Sequence, residues 1–289
     1  MKLSIAIADK HALESAFVVY RGFEECIPKA SKYGYNGVEL ALRRADEINP
    51  ALLQRLLDEN CMEISCISTG QVFADGGLML THDNVETRNE VKNIFRDFID
   101  LAGHFGKIVN IGRVRGPVGN RPKAYVEDLF VEVTRELCLY ALSKSVTLVV
   151  EPINRYEIDY INTVEEGVGL IKKVGMTNLM LMPDLFHMNI EDKDICNELA
   201  NNLDHIKYIH FADSNRLAPG QGHIDFKKVF DRLLEAGYDG WISAEILPRP
   251  NPDTAAKQTI DFLMPLINVY NEKSGSIRKT TTVLIDGDV

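Results

Sequence analysis

Leu148-Val149-Val150-Glu151, Leu179-Met180-Leu181-Met182-Pro183-Asp184, Tyr208-Ile209-His210 and Trp241-Ile242-Ser243-Ala244-Glu245 are four apolar runs, each ending in a side chain able to bind a divalent metal. The terminal residues are separated by 33, 26 and 35 positions (184−151, 210−184 and 245−210). Each interval holds one helix plus one strand returning parallel to the last. Parallel strands bring their C-terminal ends to one edge of a sheet, so four side chains distant in sequence are expected to meet in one pocket. A single glutamate at a strand end is ordinarily solvated or caps a helix. Four residues of ligand type on successive units point instead to a metal site with oxygen and nitrogen donors.

Outward from these runs, strand-like and helix-like periodicities alternate along the whole chain, as in a parallel sheet wrapped by helices. Strands are expected at 3–8, 37–42, 63–68, 108–112, 147–151, 179–184, 208–211 and 241–245, with helical patterns at 85–105, 125–143 and 254–270. Eight strands in 289 residues of 45% hydrophobic content suit one (β/α)8 (TIM) barrel, an α/β single domain, and leave no room for a second. The barrel is placed at 1–272. Residues 273–289 form a C-terminal tail whose Thr280-Thr281-Thr282-Val283-Leu284-Ile285 run has strand propensity, suited to pairing with a neighbouring subunit or to disorder.

A formal net charge of −10 argues against nucleic acid, whose affinity for proteins comes largely from Lys and Arg neutralising phosphates. A small-molecule partner is expected. The five cysteines, Cys26, Cys61, Cys66, Cys138 and Cys196, are scattered and mostly within apolar runs, as thiols in a reducing compartment are. No stretch approaches the roughly 20 apolar residues that span a bilayer, and the N-terminus opens into a strand pattern. A soluble cytoplasmic protein without a membrane partner is the expectation.

Loops that follow strands form the active-site face of such a barrel. Glu151-Pro152-Ile153-Asn154-Arg155-Tyr156-Glu157 is the most specific local motif, a strand-end carboxylate followed by a proline that stops the ladder. His187 lies three residues after Asp184, either bonded to backbone or facing a substrate. Arg113, Arg115 and Arg121 are candidate carboxylate-binding residues, because guanidinium groups grip carboxylates in bidentate fashion. The alternative is that they are surface residues.

The segments EPINRYE (151–157), DLFHMNIED (184–192), HFADSNRLAPGQGHIDF (210–226) and SAEILP (243–248) resemble the xylose-isomerase-like barrels, most closely the ketose 3-epimerase branch that includes D-tagatose 3-epimerase. The loops STGQVFADGGLMLTHDN (68–84) and GRVRGPVGNRPKAYVEDLF (112–130) look like keto-sugar-acid members such as 5-keto-L-gluconate epimerase. The resemblance implies one divalent ion held by Glu151, Asp184, His210 and Glu245. Mn2+ is the first expectation, with Co2+, Mg2+ or Zn2+ as alternatives; a donor set without sulfur fits these better than a closed structural zinc site. It also implies that Glu157, His187 and Arg216 bind substrate, with Arg113 and Arg115 as further candidates. His223 either joins them or fixes its loop. A homodimer or homotetramer is implied.

The expected function is epimerisation at C3 of a ketose or keto-sugar acid through a cis-enediolate whose charged oxygens the ion chelates. A proton must leave one face of the carbon and return to the other, so Glu151 and Glu245 are expected to alternate as acid and base. The same site also suits an aldose–ketose isomerase of hydroxypyruvate-isomerase type. A non-catalytic sugar-binding module would not need the paired glutamates. A family 2 apurinic endonuclease needs three metals and histidines on early strands, where this chain has Glu39 and Asn110; its DNA partner also conflicts with the charge.

Overall fold

The computed structural model describes residues 1–286. Eight parallel strands are present: β1 (Lys2–Ala8), β2 (Gly37–Ala41), β3 (Glu63–Ser68), β4 (Ile108–Ile111), β5 (Thr147–Val150), β6 (Leu179–Leu181), β7 (Tyr208–His210) and β8 (Trp241–Ala244). They pair in the order β6-β5-β4-β3-β2-β1-β8-β7, with a two-residue strand, Tyr20–Arg21, added beside β1. β6 and β7 close the cylinder through two isolated parallel bridges, Leu181 with Ile206 and Asp184 with His210. The seam is short because Pro183 has no N–H to continue a ladder. Its carbonyl still accepts from His210 N–H at 2.9 Å.

These strands are buried on both faces, the usual condition of a parallel sheet covered by helices. Leu3, Ile5 and Ile7 of β1 join the large core beneath the helices. The interior is filled by Cys66, Ile108, Val149, Met182 and Tyr208. Gly37 is required where β2 passes β3 and β8, since a Cβ there would lie 2.5 Å from Glu63 O and 2.8 Å from the Trp241 ring. Polar Ser4, Glu39, Ser65, Tyr208 and Ser243 are fully buried in the barrel.

The helices begin where the sequence supplies caps. Asn49 accepts from the backbone N–H groups of Ala51 and Leu52 at the start of Pro50–Asn60, and Asn84 accepts from those of Glu86 and Thr87 at the start of Val85–His104. The latter helix buries Val91, Ile94, Phe95, Phe98, Ile99, Leu101 and Ala102, one apolar face at helical spacing. The expected elements are all found, with strand ends one to three residues shorter at β2 and at β4 to β8. The last helix runs Pro252–Asp286, so residues 280–285 continue a helix and do not form the strand suggested by their β-branched residues. Extending an existing helix adds one hydrogen bond per residue and outweighs an intrinsic penalty of only about 0.7 kcal/mol or less per β-branched residue. Residues 287–289 of the tail lie outside the described residues.

Candidate active site

Each of the four strand-end residues reaches the C-terminal mouth of the barrel. Glu151 and Glu245 directly follow β5 and β8, His210 ends β7, and Asp184 follows Pro183 after β6. One donor atom from each lies within 4.8 Å of the others, and among the described residues this is the one such group. Nδ1 of His210 is 3.4 Å from Glu151 Oε1, 3.6 Å from Glu245 Oε2 and 4.0 Å from Asp184 Oδ2.

His210 Nδ1 is buried with no hydrogen-bond partner, and buried Asp184 Oδ2 has none beyond its ion pair with Arg216. A buried polar atom left unpaired is costly, so such atoms call for an unseen partner. Three carboxylates and an imidazole converging on one point are the donor set of a hard or borderline divalent cation. The residues therefore fit a single bound ion.

Electrostatics in the ion-free chain agree. Burial, with Glu151 and Asp184 alongside, pushes the Glu245 carboxyl up to about 8. Burial and Glu151 likewise raise Asp184, to about 6, against the pull of Arg216 and His210. Burial also acts to raise Glu151, but the His210 contact and charge, with Arg216 adding to them, hold it well below the usual carboxylate range. Burial alone would lower His210; Glu39, Glu245 and Glu151 outweigh it and hold the imidazole protonated. The cluster is short of positive charge.

An open cleft of about 530 Å3 lies above these residues, lined by Glu151, Glu157, His187, Arg216, Glu245 and Arg113 among others. Arg216 is buried between the rings of Phe17 and Phe186, whose centroids are 4.4 and 4.8 Å from its guanidinium carbon. It bonds Glu245, lies 3.2 Å from Asp184 Oδ2 and reaches His187 Nε2 at 3.3 Å. Its backbone has φ of +59°, a left-handed conformation that side chains rarely adopt.

Asp213 holds that conformation. Its carboxylate accepts from the N–H groups of Ser214, Gly220 and Ile224, and its carbonyl from Arg216 N–H at 2.8 Å. Gly222 packs so closely that an added Cβ would lie 2.2 Å from Asp213 Oδ1. His223 bonds Ser214 Oγ at 2.9 Å on the exposed side of this loop.

His187 Nδ1 is 2.7 Å from Asn154 Nδ2, and the same amide donates to Glu157 Oε1 at 3.1 Å. Asn154 thus ties the two expected substrate contacts together. Burial, then the nearby Arg216 charge, hold His187 neutral, well below its ordinary value. Asn154 Nδ2 faces Nδ1 and Arg216 Nη1 faces Nε2 at 3.3 Å, so both ring nitrogens meet donors, and Nε2 lies 3.8 Å from Glu151 Oε1.

The arginines separate. Arg113 lines the cleft, and among the described residues none accepts a hydrogen bond from it. Arg115 is fully buried and donates to the carbonyls of Gly112, Tyr160 and Ile161 at 2.9 to 3.0 Å. The structure does not place Arg115 where a substrate contact was expected: it does not line the cleft, and three of its five guanidinium N–H groups go to backbone carbonyls. It clamps the end of the EPINRYE loop, where Ile161 has φ of +60°. Arg121 is similarly engaged, with the carbonyls of Thr81, Val118 and Pro117 and with Asp83 at 3.1 Å.

Two contacts to the ligand residues escaped the sequence reading. Asn110 Nδ2 donates to Glu151 Oε2 at 3.3 Å, and His210 Nε2 lies 3.0 and 3.1 Å from the two oxygens of Glu39. The available signal was a lone carboxylate inside the apolar run Gly37-Val38-Glu39-Leu40-Ala41, with nothing to say which strand it faces.

Barrel, ligand cluster and cleft define a TIM-barrel protein with a candidate divalent-metal centre. A family model described as the xylose isomerase-like TIM barrel matches residues 27–266, and the chain belongs to that family. A probable ketose 3-epimerase of Synechocystis sp. is 29% identical over 232 residues, covering 78% of this chain and 79% of that protein. A 3-dehydro-D-guloside 4-epimerase of Escherichia coli is 31% identical over 173 residues, 56% of this chain and 66% of that one. The crystal structure of D-allulose 3-epimerase from Methylomonas sp. in complex with D-allulose shares the fold, with TM-score 0.76 at 22% identity over 92% of this chain and 98% of that chain.

Proposed function

We propose that the protein is a divalent-metal-dependent epimerase acting at C3 of a ketose or keto-sugar acid. The observation that carries this reading is the placement of Glu151 and Glu245, two strand-end carboxylates from β5 and β8 that both line the cleft and both face His210 Nδ1. Similarity to proteins named as ketose 3-epimerases supports the choice of chemistry.

Glu151, Asp184, His210 and Glu245 would hold the ion, read as Mn2+ with Co2+, Mg2+ or Zn2+ as alternatives. When bound, it supplies stabilisation of the negative charge that develops on adjacent substrate oxygens. One glutamate takes the proton from C3, leaving the electron pair to form the enediolate, and the other returns a proton to the opposite face. Arg216 donates to the oxygens beside the reacting carbon, and His187 contacts them from the same side. Glu157, oriented by Asn154, accepts from a neighbouring hydroxyl. The aromatic walls around Arg216 exclude water from this side.

The test is ion-dependent deuterium incorporation from D2O into a panel of ketohexoses and keto-sugar acids. Label at C3 with formation of the epimer is expected. Label at C1 or C2 would make the protein an aldose–ketose isomerase, label at C4 a 4-epimerase, and no exchange across the panel would return it to a sugar-binding role.

A further inference from the structure

The geometry points to Glu39 as a positioning residue for the ion site: supported by Tyr208, it holds His210 in the one tautomer and ring orientation that turn Nδ1 toward Glu151, Asp184 and Glu245. The inference rests on the reading of those four residues as the ion's ligands.

Glu39 and His210 come from opposite parts of the sequence and are both fully buried. Both Glu39 oxygens lie within 3.1 Å of His210 Nε2. An ionised carboxylate only accepts, so Nε2 carries the hydrogen and its hydrogen bond fixes the ring. The nitrogen left to give its lone pair to an ion is then Nδ1, the atom without a hydrogen-bond partner. A ring turned over would put Cδ2 in place of Nδ1 among the three carboxylate ligands and Cε1 in place of Nε2 beside Glu39, so neither side would meet a nitrogen.

Glu39 is itself held. Tyr208 Oη donates to its Oε2 at 2.9 Å and lies 2.7 Å from Ser65 Oγ and 3.0 Å from Ser4 Oγ. The carboxylate is the strongest acceptor within reach of the phenol, so the phenol hydrogen goes to Glu39 and the phenol oxygen is left to accept from a serine. The Tyr208 ring also meets the His210 ring edge-on, with centroids 5.7 Å apart and planes at 82°. Two serines, a tyrosine and a carboxylate thus form a chain of hydrogen bonds rising through the barrel interior to His210. A carboxylate on the far nitrogen of a ligating imidazole fixes its orientation and raises its donor strength.

A purely structural ion pair in the barrel would affect folding without setting the affinity for an ion. The two cases are separated by titrating full-length wild-type, Glu39→Gln and Tyr208→Phe proteins with Mn2+ by calorimetry, and by recording the 15N signals of His210 in the Mg2+-loaded forms. Glu39→Gln is expected to weaken Mn2+ binding by about ten- to a hundred-fold, Tyr208→Phe by a smaller factor, and wild-type His210 to show hydrogen on Nε2. Should Glu39→Gln fail to fold, Tyr208→Phe, which keeps the ring and removes one hydroxyl, decides the matter. Unchanged Mn2+ affinity in the folded variants, or hydrogen on Nδ1 in the wild type, overturns the role of Glu39. A wild-type chain that binds no divalent ion overturns the ligand reading itself.

Discussion

Asp184 and His210 are joined across the closing seam of the barrel: their backbones form an isolated parallel bridge, and Asp184 Oδ2 lies 4.0 Å from His210 Nδ1. Where β6 and β7 share no longer ladder, two side chains of one candidate ligand set face each other. An ion bound there braces the seam. At a free ion concentration of a hundred times Kd, a ligand specific to the folded state adds about 2.7 kcal/mol of stability. Chelation is therefore expected to lower Tm by several degrees and re-addition of Mn2+ to restore it. Superimposable melting curves would count against an ion at the seam.

Ion binding should depend on pH with a definite sign. Without the ion, Glu245 titrates at about 8 and Asp184 at about 6, while neighbouring carboxylates hold a proton on His210. The ion binds the deprotonated groups, so it displaces protons, and its affinity falls as pH drops from about 8 towards 6. Calorimetry in buffers of different ionisation enthalpy should show net proton release at pH 7. Zero release at that pH would mean that these groups are not the ligands.

Glu151→Gln and Glu245→Gln should each reduce C3 proton exchange by about 10²- to 10⁴-fold, the usual contribution of a general acid or base. Both should still bind the ion measurably, because three ligands and an amide oxygen remain. If both single variants exchange at the wild-type rate, the paired acid/base role is lost.

Arg113 and Arg115 should behave oppositely although they are two residues apart. Arg113→Ala is expected to raise KM for a keto-sugar acid more than for a neutral ketohexose and to leave Tm unchanged. Arg115→Ala leaves the buried Tyr160 carbonyl without a donor, at about 1 to 3 kcal/mol, and takes one of two donors from the carbonyls of Gly112 and Ile161, so it should lower Tm and affect every substrate alike. Equal KM effects of Arg113→Ala on both sugars would argue against recognition of a carboxylate.

The barrel and its four strand-end residues were legible because they depend on short-range rules. Apolar runs of strand length, spaced by one helix and one return strand, fix where Glu151, Asp184, His210 and Glu245 emerge. Cross-barrel partners do not obey such rules. Glu39 meets His210 from 171 positions away, and only closure of the cylinder brings them together. Arg115 misled for a related reason: arginines in a polar loop after β4 look alike in sequence, and which one turns inward is set by the carbonyls of Tyr160 and Ile161, some 45 residues on. The 280–285 run misled because local β propensity is weaker than the cooperativity of a helix already under way.

The polar interior of the barrel lies on one side of His210 and the cleft on the other. Side chains that line the cleft, such as Phe17 and Arg113, sit on loops at the mouth, whereas Ser4, Ser65 and Tyr208 lie deeper among the strands. On the proposed reading, substrate range and ion affinity are set in separate parts of the scaffold. In a mutagenesis library, variants of the loops and variants of the barrel interior should combine almost additively, making this chain a tractable starting point for changing one trait while the other stays fixed.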